Sequence, residues 1–542
     1  MLVDLVIDNA EIRTMSSRRP KARSLAVLHG RVVAVDDTAG LHAREHVDLA
    51  GRTVLPGFND AHAHSVWFGM TLHEVDLSSV TSVDDVYPAI QRRARELSAD
   101  AWIVAAGYNP VRLGGRLPDR DRLDHVSGGR PVWIKHASGH SCQLSTAGLA
   151  RTRAEAVLDG EMEGGRVVVG DDGRPTGVLE ERAMSLVQDV VLPYSMASIE
   201  RALDSATAQY AREGLTSVTD AGVAGGWIGH APGELAAYQN ARDRGVLRTR
   251  IQVMPVIDVL QPVVGHDDEP ARRGLSGGIR TGWGDDFLQL GPVKVFTDGS
   301  ILGRTAHVTE PYDGCPGNHG YLQEDADTMR DRVLDAAAGG WSLALHAVGD
   351  AALDVALDII EEAARRHGRP AVPHRVEHGI VVRPDQLSRL SELQVACTVQ
   401  PGFIPAFGEG LRRAIGERRS GWSIRARSML DSGLPLAYTS DRPVAPGAPL
   451  AGVQAFVERL TDESQIYAPE ERLSVEEALF AATVGSSAVT GQSARKGTLD
   501  LGQLADFVVL DADPTSVPVS QIGAIPVHAT AVGGTFTHGP HA

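Results

Sequence analysis

Two imidazoles two residues apart, His62 and His64, follow the apolar run Val54-Leu55-Pro56-Gly57-Phe58. Side chains at i and i+2 of a strand share a face, so both rings reach one metal ion. Neutral imidazole is a favoured ligand of zinc and its transition-series neighbours. With 20 histidines in 542 residues, such a pair by itself also arises as a surface feature. Four later segments make the pattern selective, because each is an apolar stretch carrying one metal-competent side chain. Gly291–Gly299 carries Lys294, Trp341–Asp350 carries His346, His374–Gly379 carries His378, and Leu434–Asp441 ends in Asp441.

Lysine usage sharpens the pattern. Only Lys21, Lys135, Lys294 and Lys496 are lysines among 52 basic residues, and Lys294 lies inside an apolar strand. An ammonium there must be paired, deprotonated or modified. Lysine loses its proton and adds carbon dioxide to form a carbamate, chemistry closed to arginine. A bridging carbamate is the preferred reading, and pairing to Asp298 or Asp220 is the structural alternative.

Strands ending in such residues need a scaffold that aligns their ends. Eight strands are predicted near 54–60, 215–220, 249–256, 291–297, 341–346, 374–378, 395–400 and 434–440. Amphipathic helical stretches such as Ile199–Arg212, Ala351–Arg366 and Pro384–Leu393 alternate with them. The fold class is therefore α/β, a (β/α)8 TIM-type barrel whose active site lies at the C-terminal strand ends. Strand-like runs at both termini (Asp4–Asn9, Ser24–His29, Arg31–Asp36, Phe507–Leu510 and Pro526–Val532) predict a small β-sandwich domain built from 1–53 and 497–542. The barrel then spans 54–496. A stretch at about 70–200, with strand-like pieces at Trp102–Ala106, Pro131–His136 and Arg166–Val169, forms an inserted subdomain after the first strand, over the barrel mouth.

The net charge of −17 argues against nucleic acid or an anionic membrane as partner. Cys142, Cys315 and Cys397 are widely spaced and odd in number, which suits a reducing cytoplasm. Neither a signal peptide nor a membrane span is expected. The expected partner is a small-molecule amide substrate, and a homodimer is left open.

These residues resemble the amidohydrolase superfamily of metal-dependent hydrolases, and within it the amidohydrolase-3 branch, which includes N-substituted formamide deformylases. The likeness runs over essentially the whole chain. It rests on Pro56–His64, Gly214–Asp220, Lys294–Gly299, Arg304-Thr305-Ala306, His346–Asp350, Arg375–His378, Gln400-Pro401, Ser440–Pro443, Gly497–Leu499 and Ala505-Asp506. The resemblance implies one or two divalent metal ions, zinc first. His62, His64 and Asp441 would hold one ion, His346 and His378 a second, with N6-carboxylated Lys294 bridging both. Two departures stand out. Asn59 replaces a small apolar residue, and Gly139–Ser145 lacks the usual aromatic residue and asparagine after its histidine.

A zinc-type ion lowers the pKa of its water from about 15.7 to about 7, so hydroxide for attack on an amide forms at neutral pH. Asp441 would take the proton and pass it to the departing nitrogen; a helix N-cap is its plainer role. His140 would donate to the developing oxyanion, with a structural loop histidine as the equal alternative. Glu180, Asp298, Asp350 and Arg304 have plausible supporting roles. Neither a serine nucleophile elbow nor a phosphate loop appears.

The first functional expectation is hydrolysis of a linear amide C–N bond, in an N-substituted formamide or small N-acyl amine. Trp67, Phe68, Tyr108, Trp133, Phe296 and Phe403 would line its apolar pocket, or else pack in the core. The second expectation is a carbamate, a cyclic amide or an N-acyl amino acid, with Arg304 binding a carboxylate. A third, from another class, is a non-catalytic ligand-binding or regulatory barrel.

Overall fold

The computed structural model describes residues 1–77, 79–108, 116–136, 141–154, 165–225, 228–263, 265 and 272–542. They divide into two compact units, Met1–Phe68 with Glu200–Ala542, and Gly69–Ile199.

The first finding corrects the strand expected over 54–60. Thr53–Pro56 pairs antiparallel with Phe507–Leu510, whereas Phe58–Ala63 (β1) pairs parallel with Leu215–Val223 (β2). Gly57 is the crossing point between the two sheets. A Cβ there would lie 2.1 Å from Thr216 Cγ2, so only glycine permits this approach. Its N–H donates to Asp506 O at 2.9 Å, and the next N–H donates to Gly214 O at 3.0 Å.

Beyond this crossing the larger unit is a parallel α/β assembly of TIM-barrel type. β2 pairs with Arg250–Pro255 (β3), which pairs with the short outer strand Leu288–Leu290 (β4). Val293–Phe296 (β5), Leu343–Ala347 (β6), Arg375–His378 (β7) and Ala396–Thr398 (β8) pair in order, all parallel. A parallel bridge between Val256 and Lys294 links β3 to β5. The strand expected at 434–440 is not formed as a ladder. Its segment still hydrogen-bonds β1 through Ala61 N to Tyr438 O (3.1 Å) and Asp441 N to His62 O (2.8 Å). The missing rungs have a cause: Tyr438 N–H is taken by Ala481 O and Ser486 Oγ, and Ser440 N–H by the Asp60 carboxylate.

Helices pack outside these strands. Asp350–His367 (α1) shows the reason, because Leu353, Leu357 and Ile360 at i, i+4 and i+7 make one buried apolar stripe. The termini supply two further sheets, one of four strands and one of six. Side chains from both, among them Ile7, Val27, Phe507 and Ala529, share one apolar core.

The smaller unit carries a six-stranded sheet in the order Gly165–Val169, Pro175–Glu181, Ser141–Leu144, Val132–His136, Ile103–Tyr108, Val75–Asp76. Helices Val83–Ala94 and Arg120–Ser127 cover it through Val86, Ile90 and Leu123. Among the described residues, no helix is long and apolar enough to cross a membrane.

Candidate metal centre and its cavity

All six side chains expected as ligands line one cavity of about 550 Å3 in the larger unit: His62, His64, Lys294, His346, His378 and Asp441. His62, His64 and Asp441 offer ligand atoms that all lie within 4.8 Å of one another. Asp441 Oδ1 is 2.9 Å from His64 Nε2 and 3.3 Å from His62 Nε2. The ring of His378 lies 4.9 Å from that of His62 and 4.5 Å from that of His346. Two of these residues, His378 (φ 73°) and Asp441 (φ 55°), hold left-handed backbone angles. Non-glycine residues take such angles at a cost of about 1–3 kcal/mol, which the surrounding structure must offset.

Their environment favours cation binding. Burial raises the Asp441 pKa, but hydrogen bonds from His62 and His64 prevail and hold it well below the carboxylate range. Burial pushes His378 down to about 3 and His346 well below the imidazole range, so both rings are neutral lone-pair donors. Lys294 is 1% exposed, with its ammonium 4.8 Å from the Phe296 ring centroid. It forms no ion pair among the described residues, and burial lowers it to about 8 against the pull of Glu377 and Asp441.

Three of the four rings are aimed by a second nitrogen. His62 Nδ1 is held by Glu377 Oε2, which also accepts from Thr398 Oγ1 at 2.8 Å. His346 Nε2 donates to Gly299 O at 3.1 Å, and His378 Nδ1 donates to Gln400 Oε1 at 3.1 Å. Gln400 is fixed in that sense because its amide N–H groups donate to Thr398 O and Thr439 Oγ1. What remains are His62 Nε2, turned toward Asp441 Oδ1 at 3.3 Å, and His346 Nδ1, buried without a hydrogen-bond partner. Two imidazole nitrogens gathered on one ionised carboxylate, with a third buried and unpartnered in the same cavity, fit a divalent ion.

Comparisons with known proteins agree with this chemistry. Residues 45–538 match the amidohydrolase family. The chain belongs to that family. It is 27% identical to N-substituted formamide deformylase of Arthrobacter pascens, over 99% of this chain and 98% of that one. It is 29% identical to Protein LONG AFTER FAR-RED 3 of Arabidopsis thaliana, over 98% and 91%. An uncharacterized metal-dependent hydrolase from Pyrococcus horikoshii superposes with a TM-score of 0.77 at 25% identity, covering 96% of this chain and 99% of that one. The protein is thus a metal-dependent hydrolase of amidohydrolase type, an enzyme acting on carbon–nitrogen bonds other than peptide bonds. That excludes the non-catalytic expectation.

The other expected site residues of this amidohydrolase divide. Trp67, Phe296 and Phe403 line the cavity, Trp67 with its ring 5.8 Å from His64 and Phe296 5.2 Å from His346. Phe68 packs elsewhere, stacked on Tyr210 at 5.5 Å with the Arg442 guanidinium 4.8 Å from its ring. Arg304 is exposed, donates to Cys315 Sγ, and is not among the cavity residues. Tyr108 belongs to the smaller unit, where it is buried and its hydroxyl donates to Arg116 O at 2.6 Å. Trp133 is buried in the same unit, beneath Lys135. His140 lies outside the described residues. Asp298 and Asp350 fasten loops: Asp298 accepts from the N–H groups of His307, Val348 and Gly349, and Asp350 from Thr309 N. Glu180 sits half-buried in a strand of the smaller unit.

Several supporting residues carried no assignment from sequence. Arg375 and Glu377 form a fully buried pair at 2.5 Å beneath His62. Asp60, lifted to about 6 by burial, joins β1 to the Asp441 segment by accepting from His62 N, Ser440 N and Ser440 Oγ. Asp220, expected as a possible partner of Lys294, instead accepts from Ser65 N at 3.0 Å and from the Tyr238 hydroxyl, anchoring the chain just past His64.

Proposed function

We propose that this enzyme hydrolyses a linear amide in which an apolar group is carried on a small neutral amide, with an N-substituted formamide or small N-acyl amine as substrate. In this reading His62, His64 and Asp441 hold one divalent ion, zinc being the ion their nitrogen and oxygen set suits. His346 and His378 hold a second, and Lys294, carboxylated on Nζ, joins the two. Such ions supply Lewis acidity for the carbonyl and bring the pKa of a water close to neutrality.

The chain's own groups do the rest. Asp441, held ionised, takes the proton of the attacking water and delivers it to the amide nitrogen, so the C–N bond breaks as a C–O bond forms and the amine leaves neutral. Glu377, Gly299 O and Gln400 keep three imidazoles from rotating during this exchange. Support for the substrate class comes from one observation: apart from the six ligands, the only ionisable side chain among the described cavity residues is Asp298, which is already committed to backbone N–H groups. Apart from the ions themselves, a substrate carboxylate would meet no counter-charge among the described cavity residues, and Arg304 points to Cys315 instead. This disfavours N-acyl amino acids.

The three cysteines are free, which supports a cytoplasmic setting, and we assign no partner beyond the small amide. A panel of acyl donors on metal-replete protein tests the substrate reading. Neutral N-aryl or N-alkyl formamides should lead; preference for N-acyl amino acids or carbamates would overturn it.

A further inference from the structure

Helix Phe403–Ser420 (α2) follows Gln400, whose amide holds His378. Phe403, Phe407 and Leu411 recur at i, i+4 and i+8 along it, and all three line the cavity. That spacing puts them on one face, within an arc of about 80°. The rings of Phe403 and Phe407 meet edge to face at 5.3 Å, and both stay half-buried, although Ile404 and Ile415 on the same helix pack fully into the core. Leu302 adds a facing wall. A Cβ at Gly410 would lie 2.7 Å from Leu302 Cδ2, so the leucine tip rests on the helix backbone, with the residue 48% exposed.

A helix needs one apolar face to dock on a core. This one keeps a second, on which Phe403 and Phe407 leave apolar surface open to the cavity while Leu411, buried at 4% exposure, closes the far end, and such surface is unfavourable until a ligand covers it. At 1.5 Å rise per residue the stripe extends about 12 Å from Phe403 to Leu411, starting three residues beyond the side chain that aims His378.

We infer that Phe403, Phe407 and Leu411 form a linear subsite that selects substrates by the length of an apolar substituent, an alkyl or arylalkyl group reaching about 12 Å from the metal-side end. This rests on the amide-hydrolase reading above. Recognition along such a stripe grows by increments, each buried methylene tightening binding roughly fourfold until the stripe is filled.

The test uses the metal-loaded full chain and two readouts. Calorimetric titration with 1-alkanols from propanol to decanol reads the subsite without turnover, and kcat/KM for the matching N-alkylformamides reads it with turnover. Affinity should climb with chain length and then level. Phe407→Ala should weaken the long alkanols roughly tenfold and leave propanol unchanged. Leu411→Trp should bring the plateau to a shorter chain; if that variant fails to fold, the wild-type series and Phe407→Ala still decide. A flat series in the wild type, or equal losses for short and long chains in Phe407→Ala, overturns the inference. Rising alkanol affinity without formamide turnover sinks the substrate reading and leaves the subsite standing. Turnover indifferent to chain length does the reverse.

Discussion

Replacing Glu377 by glutamine separates what holds the fold from what holds the metal. Glu377, Arg375 and His62 are all fully buried. The carboxylate accepts from three donors: Arg375 Nε at 2.5 Å, Thr398 Oγ1 at 2.8 Å and His62 Nδ1. A glutamine has one acceptor oxygen, so its amide N–H groups must oppose at least one of them. Arg375 is the worse placed. Its Nη1 already lacks a partner, and its other contacts are the neutral Ala61 O and Met254 Sδ. Removing one partner of a buried ion pair costs about 3–5 kcal/mol. His62 would keep at best an uncharged amide in place of the carboxylate behind its ring, and loss of such an outer partner typically weakens metal binding 10- to 100-fold, or about 1.4–2.8 kcal/mol.

The two effects part in a double substitution. Arg375→Met with Glu377→Gln leaves no unpaired charge, and replacing both partners of a buried pair is often near neutral. Urea unfolding of the metal-free chain should show the double variant recovering most of the stability that Glu377→Gln loses. Competition against a metal buffer should show both variants equally weak in metal affinity. If Glu377→Gln binds metal as tightly as the wild type while losing stability, Glu377 serves the fold alone, and the proposed control of His62 is wrong.

Other consequences are direct. Lys294→Arg retains a cation but forms no carbamate, and metal content and turnover should both drop steeply; unchanged turnover would refute the bridging role. His374 accepts the Leu343 N–H on Nδ1, and burial lowers it to about 4. The unfolded chain binds this proton below about 6.5 while the folded chain resists it, so stability should fall between pH 6.5 and 4, by about 3 kcal/mol at most. His374→Gln should flatten that dependence in urea midpoints taken at pH 7 and pH 4.5. Lys496, which donates to Ser217 Oγ, is lowered to about 7 by burial. Here the folded chain binds fewer protons than the unfolded between pH 7 and 10.5, so stability rises with pH across that window. Lys496→Met should therefore stabilise most at pH 7 or below, with the gain shrinking toward pH 10.5.

The candidate metal ligands were legible because metal chemistry admits few residue types and a parallel α/β sheet presents them at strand ends. Positions after apolar runs marked His62, His64, His346, His378 and Asp441 as metal-competent, and the family resemblance implied how they would divide between ions. Apolar runs show where strands lie, but not which sheet they join. The single run Val54–Asp60 accordingly splits at Gly57, where backbone approach rather than hydrophobicity decides. Aromatic residues were poor guides to the cavity. Phe68 and Trp133 share their type with Trp67 and Phe403, and only packing distinguishes a core ring from a wall. Phe407 and Leu411 escaped notice because α2 is apolar on two sides, which blurs its periodicity.

The supporting layer did leave a trace in the sequence, as a broken rule. Strand β7 reads Arg375-Val376-Glu377-His378, three ionisable residues in four positions, yet it is buried throughout. A buried strand accepts charge only when each charge is answered, so opposite charges at i and i+2 on one face signal an internal pair. Asp60, two residues before His62 in a wholly buried strand, breaks the rule in the same way and is answered by Ser440 and a backbone N–H. Local pattern and global fold agree across most of this chain, and they disagree where side chains are held for chemistry. Violations in the strands that carry the candidate ligands therefore point past those residues to the ones that aim them, Glu377 first.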